Sequence, residues 1–238
     1  MAKRKKYMRS TPKAEISVLL PMLGNEDDIN LFYHPLDGIP LVAHTLRGLN
    51  SAAVVKEIIV LTYERDLMRI ADICHQMIPD KQKLVLCAAR PDLELFLQGA
   101  LSTSSEIEYI AISSPLYPFI TADVLNNALD VAKKRGAAIA GIPVKDTVKI
   151  VEGNRILQTP ERATLYTLQP PEIIQSDLLK AALTKAIQQG VATTDIARVL
   201  QTIKLPFALS HGDEKNICIA DIHDIPKANA VLAWRATQ

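Results

Sequence analysis

Short runs of buried-type residues alternate with amphipathic stretches along most of the chain. EISVLL (Glu15 to Leu20), KEIIVLT (Lys56 to Thr62), the start of LVLCAARPDLELFLQGAL (Leu84 to Leu101), YIAIS from Tyr109, and AAIAGIPV (Ala137 to Val144) are apolar runs that predict buried strands. Between them LVAHTLRGL (Leu41 to Leu49) has helical spacing, and RDLMRIADICHQM places Leu67, Ile70, Ile73 and Cys74 on one helical face. Thr121 with Asp123 caps a helix over ADVLNNALDVAKKRG. SDLLKAALTKAIQQG predicts another, with a Ser176–Asp177 start and a Gly190 stop, and TTDIARVLQTI follows it. Strands alternating with helices predict an α/β fold of three layers, a mainly parallel sheet with helices on both faces.

One stretch departs from this alternation. After the strand ending at Val144, Lys145-Asp146-Thr147 is polar, and KIVEGNRILQT reads as two extended segments about a Gly153-Asn154 turn. Such a hairpin has too little core to stand alone in water. Residues 145–170 therefore form a β-arm that needs a surface to rest on, either its own domain or a second copy of the chain.

Composition narrows the class. At 238 residues, 48% hydrophobic and 22% charged, the chain can bury one large core, and a single domain over 15–238 is expected. A net charge of +1 gives no general attraction to nucleic acid or to an anionic membrane. MAKRKKYMRSTPK is basic but lacks the apolar centre of a signal peptide, so residues 1–14 read as a flexible, solvated tail. No apolar run is long enough to span a bilayer, which predicts a soluble protein. Cys74, Cys87 and Cys218 are odd in number and unpatterned, which fits a reducing, cytoplasmic setting better than a disulfide framework. Adjacent Cys74 and His75 point apart on a helix, and His44 reads as packing; no metal ligands are assigned.

PVKDTVK from Pro143, TPERATLY to Tyr166 and LQPPEII to Ile174 resemble the arm motifs of the methylerythritol-phosphate cytidylyltransferase family, PVxDTIK, TxDRxxLW and AQTPQxF. The resemblance runs from about Ile16 to Leu232 and implies a nucleotide-diphospho-sugar transferase-like fold. It implies transfer of CMP from CTP to a sugar-alcohol phosphate such as methylerythritol phosphate, a step of isoprenoid precursor synthesis, with Mg²⁺ if the chain is active. It also implies a homodimer in which the arm helps complete the partner's site. Arg162 and Thr147 match positions that meet the sugar phosphate, and Asp146, Lys149 and Asp195 match neighbouring substrate-side positions.

Gly24, Ser114 and Cys218 fall on the family's CTP and metal positions, mostly with substituted side chains. Pro21, Gly24, Pro35, Leu36, Gly38, Pro40 and Leu41 frame the phosphate loop. Its second glycine aligns with Glu26, its arginine with Asp28 and its lysine with Leu31. Ala88 and Ala89 replace glycines, Asp92 an arginine and Leu95 a serine of the base-binding segment. Ser114 stands for an aspartate, Tyr117 for an arginine and Cys218 for a lysine. Carboxylates at Glu26, Asp27 and Asp28 facing a polyphosphate would turn attraction into repulsion. The resulting expectation is a divergent member whose ordinary transfer is weak or lost. One alternative is an active nucleotidyltransferase with altered substrate, using Arg90, Lys145, Lys149 and Arg162 as replacement cations. Another is a non-catalytic dimeric regulatory or interaction protein. Glycosyl transfer rests on fold analogy alone, and its Asp-x-Asp motif is missing at Ser113-Ser114.

Overall fold

A computed structural model describes residues 16–78, 81–89, 92–193 and 195–237. The chain enters on β1 (Ile16–Pro21), followed by α1 (Glu26–Phe32), the short pair β2 (Pro35–Leu36) and β3 (Ile39–Pro40), and α2 (Leu41–Ser51). Next come β4 (Val55–Tyr63), α3 (Leu67–Met77), β5 (Gln82–Ala88), α4 (Leu93–Leu101), β6 (Tyr109–Ile112) and α5 (Ala122–Arg135). β7 (Ala137–Pro143) leads into the hairpin β8 (Ile150–Glu152) and β9 (Arg155–Gln158). The chain returns on β10 (Tyr166–Gln175), α6 (Ser176–Gln188), α7 (Ile196–Gln201), β11 (Ala208–His211) and α8 (Ile225–Arg235).

The central sheet has the order β11-β7-β10-β6-β1-β4-β5, with β10 antiparallel to both neighbours and the other strands parallel. This is the mainly parallel, helix-covered sheet that the alternating pattern predicts. Buried-type runs end up inside because both faces are covered. Val18, Leu20, Val60 and Ala111 face α2, α3 and α5, while Leu19, Leu61, Ile110 and Ile174 face α4, α6 and α7. A smaller cluster of Leu31, Leu36, Leu41, Phe119, Ile219 and Ala228 fastens α1 and α8 to one end.

Several local expectations acquire a physical account. On α3, Ile70 and Cys74 are buried, and Ile73 packs beside them. His44 Nε2 lies 2.7 Å from the Leu36 carbonyl, and burial lowers its pKa, so it is a packed neutral ring. Thr121 Oγ1 accepts from the Val124 amide at 3.5 Å and caps α5. At α6 the mechanism differs from the sequence reading. Gln175 occupies the cap position without a side-chain bond, and the Ser176 amide donates to the Glu108 carbonyl at 2.8 Å. Tertiary contact with the chain before β6 therefore replaces a local cap. Among the described residues no helix is long and apolar enough to cross a membrane. The basic tail, with Glu15, lies outside the described residues.

Candidate functional site

Open α/β sheets bind ligands outside the carboxyl ends of their strands. Here that edge is built from the turn after β1, the turn after β6, the returning strand β10 and the segment between β11 and α8. Beyond β1 the Met22 amide donates to Leu61 O at 2.7 Å, holding the turn against β4. The Tyr63 hydroxyl then donates to Gly24 O at 2.8 Å. The acidic run Glu26-Asp27-Asp28 is the first turn of α1. Asn25 Oδ1 accepts from the Asp28 amide at 3.0 Å, and Asp28 Oδ2 accepts from the Asn25 amide at 2.9 Å. This reciprocal cap, together with the N-terminal end of the helix dipole, stabilises carboxylates at those positions. Glu26 and Asp27 are exposed. A Cβ on Gly24 would stand 2.5 Å from Asp28 Oδ2, so Asp28 lies directly on the loop glycine. The Asn-x-x-Asp spacing was the available sequence signal for this helix start.

After β6, the Ser113 amide donates to Leu19 O at 3.0 Å and extends the sheet by one residue. Ser114 Oγ accepts from the Leu116 amide at 3.2 Å, and the Tyr117 amide donates to Ser114 O at 3.2 Å, closing a turn. The Ile219 amide donates to Leu116 O at 2.9 Å and draws the Cys218 segment alongside. Tyr117 and Cys218 are consequently neighbours, close enough that each side chain affects the ionisation of the other. Burial pushes both pKa values up, so the phenol and the thiol are neutral at physiological pH. A half-buried thiol held protonated in this way is a poor nucleophile. Ser114, Tyr117 and Cys218, far apart in sequence, thus converge and bring no charge.

β10 supplies the other wall. Its pairing with β7 shifts register between Gln169 and Glu172, where Pro170 and Pro171 have no amide to donate. Gln169 Nε2 donates to Asp213 O and Asn216 O, both at 3.0 Å, while Gln169 Oε1 accepts from the Asp213 amide at 3.1 Å. Glu172 lies opposite Ile112, the last residue of β6. Its carboxyl is pushed up to about 7, first by burial and then by the charge of Asp195, and its Oε2 has no hydrogen-bond partner. Asp195 Oδ1 caps α7 by accepting from the Ala197 and Arg198 amides at 2.9 and 3.4 Å. The Glu172–Asp195 approach was not assigned from sequence, because their motifs are 23 positions apart and only the chain reversal through α6 brings them together.

Thr147, Asp146, Lys149 and Arg162 sit on or beside the arm, all exposed. Lys145 pairs with Glu214 at 2.6 Å, the Lys149 ammonium donates to Thr159 Oγ1 at 2.7 Å, and Arg162 Nη1 donates to Lys145 O at 3.2 Å. Among the described residues, no hydrogen bond or ion pair joins these side chains to Gly24, Ser114 or Cys218 of the same chain. Arg90 and Thr194 lie outside the described residues. A resident Mg²⁺ does not fit the donor set at Ser114: its hydroxyl is engaged with a backbone amide, and Tyr117 and Cys218 are neutral. Among the described residues no group of three or more His, Cys, Asp or Glu side chains is placed to hold a metal ion.

Comparison with known proteins gives a consistent family. The profile of the family described as IspD, 2-C-methyl-D-erythritol 4-phosphate cytidylyltransferase, matches residues 24–234. The protein of that name from Geotalea uraniireducens is 30% identical over 224 residues, covering 91% of this chain and 96% of its own. The one from Halalkalibacterium halodurans is 27% identical over 223 residues, covering 92% and 97%. The crystal structure of 4-diphosphocytidyl-2C-methyl-D-erythritol synthase from Anaerococcus prevotii superposes with a TM-score of 0.80 at 22% identity, covering 92% of this chain and 96% of that one.

Proposed function

The chain belongs to the 2-C-methyl-D-erythritol 4-phosphate cytidylyltransferase family, and from that premise we propose that it is a divergent cytidylyltransferase whose ordinary CMP transfer from CTP to a sugar-alcohol phosphate is weak or lost. The observation that carries the proposal is the Tyr117–Cys218 pair, a neighbouring phenol and thiol that burial keeps neutral, at positions where the family motifs carry arginine and lysine. Phosphoryl transfer depends mainly on positioning and charge neutralisation. Loss of one well-placed stabilising group typically removes about 3–4 kcal/mol of transition-state stabilisation. Asp28 reinforces the reading, since a carboxylate rests on Gly24 where the motif supplies positive charge.

Lys145, Lys149 and Arg162 serve a rearranged cationic site less well, because their recorded partners are Glu214, Thr159 and the Lys145 carbonyl. The arm favours a second reading alongside the first, a dimeric protein that acts through its contacts. Ile150, Val151, Ile156 and Leu157 are between 45% and 60% exposed on a two-stranded hairpin that has no core of its own. Seating on a second copy would cover them.

The test is to incubate the purified chain with CTP, Mg²⁺ and methylerythritol or pentitol phosphates and to follow pyrophosphate. The expected result is release far below that of the Geotalea uraniireducens protein assayed in parallel. Equal release would defeat the proposal.

A further inference from the structure

A cavity of about 350 Å³ lies between α2, the turn that leads into α5, and α8. None of Gly24, Ser114, Tyr117, Cys218 or Glu172 lines it, so it is separate from the edge described above. His44, Arg47, Gly48 and Ser51 recur at helical spacing on α2, share one face and border the cavity. Gly48 sets how closely that face approaches the turn, since a Cβ there would stand 2.6 Å from Ile120 O. Arg235 reaches in from α8. Its Nη2 donates to Phe119 O at 2.8 Å, and its guanidinium carbon lies 5.1 Å from the centroid of the Phe119 ring. These contacts hold the side chain while leaving Nε and Nη1 without an acceptor among the described residues.

The lining holds two arginines and no carboxylate. Among the described residues neither Arg47 nor Arg235 forms an ion pair, and Asp213 acts on Arg235 only from beyond contact distance. Burial lowers the Arg235 pKa, the direction expected of a cation taken from water without an anion against it. His44 adds no charge: its Nε2 donates to Leu36 O and the ring is neutral. The start of α5 contributes donors to the same cavity. Thr121 Oγ1 accepts from the Val124 amide at 3.5 Å and keeps its own proton to donate, while the Ala122 and Asp123 amides have no acceptor among the described residues. Asp37 and Asp123 are the nearby acids on these elements, and both are exposed and outside the lining.

We propose that this cavity binds a small phosphorylated molecule, its phosphate held between Arg47 and Arg235 at the start of α5. The site goes beyond the proposed CMP transfer and stands whether or not that reaction occurs. Two guanidiniums carried by different helices approach from different directions. A tetrahedral dianion can accept from both and from a helix start at once, whereas a planar carboxylate carries one charge and accepts mainly in its own plane. The volume suits a small molecule. Phe119, Ile120 and Leu232 provide an apolar wall for the part of the ligand that bears the phosphate.

The experiment titrates the full chain by calorimetry, without magnesium or CTP, using inorganic phosphate, pyrophosphate and glycerol 3-phosphate. Acetate at matched ionic strength is the comparator. The expected result is that at least one phosphate compound binds about tenfold or more tightly than acetate, and that Arg47→Gln weakens it about tenfold. Arg235→Gln should do the same; Arg47, exposed and without a partner in the fold, carries the test should Arg235→Gln not fold. Lys185→Gln, on α6 across the sheet, removes the same charge elsewhere and should leave the affinity unchanged. Phosphate alone binding identifies a free anion as the ligand, and tighter glycerol 3-phosphate identifies an ester. Location is read by NMR. Burial first, and then the Arg47 charge, lowers the His44 pKa, so a bound anion should make that ring titrate at higher pH. Absence of phosphate binding overturns the proposal, as do equal acetate binding, unchanged affinity in Arg47→Gln, an equal loss in Lys185→Gln, or a His44 titration that does not move.

Discussion

Gln169 and Gly212 meet so closely that a Cβ on Gly212 would stand 2.5 Å from Gln169 Oε1. The Gly212 amide also donates to Gly141 O at 3.0 Å, which pins the backbone as β11 ends. Gln169 is 4% exposed and bonds both sides of the Asp213–Asn216 turn. This contact sets where the chain runs toward Cys218.

Gln169→Leu should therefore destabilise the fold by about 2–4 kcal/mol, because it leaves the Asp213 amide and two carbonyls without their partner. Gly212→Ala should cost about 1–3 kcal/mol through overpacking. The two should not add: in a Gln169→Ala background the Gly212→Ala cost should fall to what the 3.2 Å approach to the Gly141 backbone leaves. Urea unfolding of the four proteins measures the coupling. Simple additivity would mean the contact is not what holds this turn.

Glu172 gives a pH dependence of definite sign. Its pKa is about 7 in the folded chain against an ordinary value of 4.5. The folded state thus holds this proton more tightly than the unfolded state. Its stabilising contribution is complete below pH 4.5 and is lost as pH rises through about 7. Glu172→Gln removes that dependence. The variant should gain on the wild type by up to about 3 kcal/mol between pH 4.5 and pH 8, at roughly 1.4 kcal/mol per pKa unit. Denaturant midpoints for both proteins across this range are the measurement, and parallel curves would show that Glu172 ionises normally.

The neutral pair makes a prediction about charge. Tyr117→Arg with Cys218→Lys should increase CTP affinity about tenfold or more, since hydrogen bonds to charged groups contribute roughly 1.5–3 kcal/mol. Tyr117→Phe, which removes the hydroxyl and adds no charge, should leave nucleotide affinity unchanged. Titration with CTP and Mg²⁺ distinguishes them. No gain in the double variant would place the obstacle at Asp28 and Gly24 instead.

The fold was legible because its strongest signals are local. Apolar runs such as KEIIVLT can only be buried strands or helices, and the helical spacing around them excludes a strand-only fold. The Gly153-Asn154 turn identified the hairpin, and Gly153 indeed adopts a positive φ of 55°. The site was less legible. Matching positions one at a time set neutral residues, Tyr117 and Cys218, against motif cations but did not show that the two lie side by side, which depends on the Leu116–Ile219 backbone contact. Likewise, charge counting made Asp28 a repulsive loop residue, whereas its carboxylate is half of a capping box. Long-range pairing of this kind, including Glu172 with Asp195, is set by topology and leaves no periodic trace in the sequence.

The arm provides the last prediction. Its strands β8 and β9 pair only with each other, and the apolar side chains of Ile150, Val151, Ile156 and Leu157 are open to solvent. If they seat on a second copy, then Ile156→Lys with Leu157→Ser should convert a dimer to a monomer, with the molar mass by light scattering falling by half. Because the hairpin lies outside the core, the same changes should alter the unfolding free energy of the monomer by no more than about 0.5 kcal/mol, as for surface substitutions generally. A wild-type chain that is already monomeric at micromolar concentration would remove the second-copy reading of the arm. A dimer that survives both substitutions would move the interface elsewhere. A mass that halves with the core stability unchanged is the outcome the exposed hairpin predicts, since it alone combines a lost contact between copies with an undisturbed sheet.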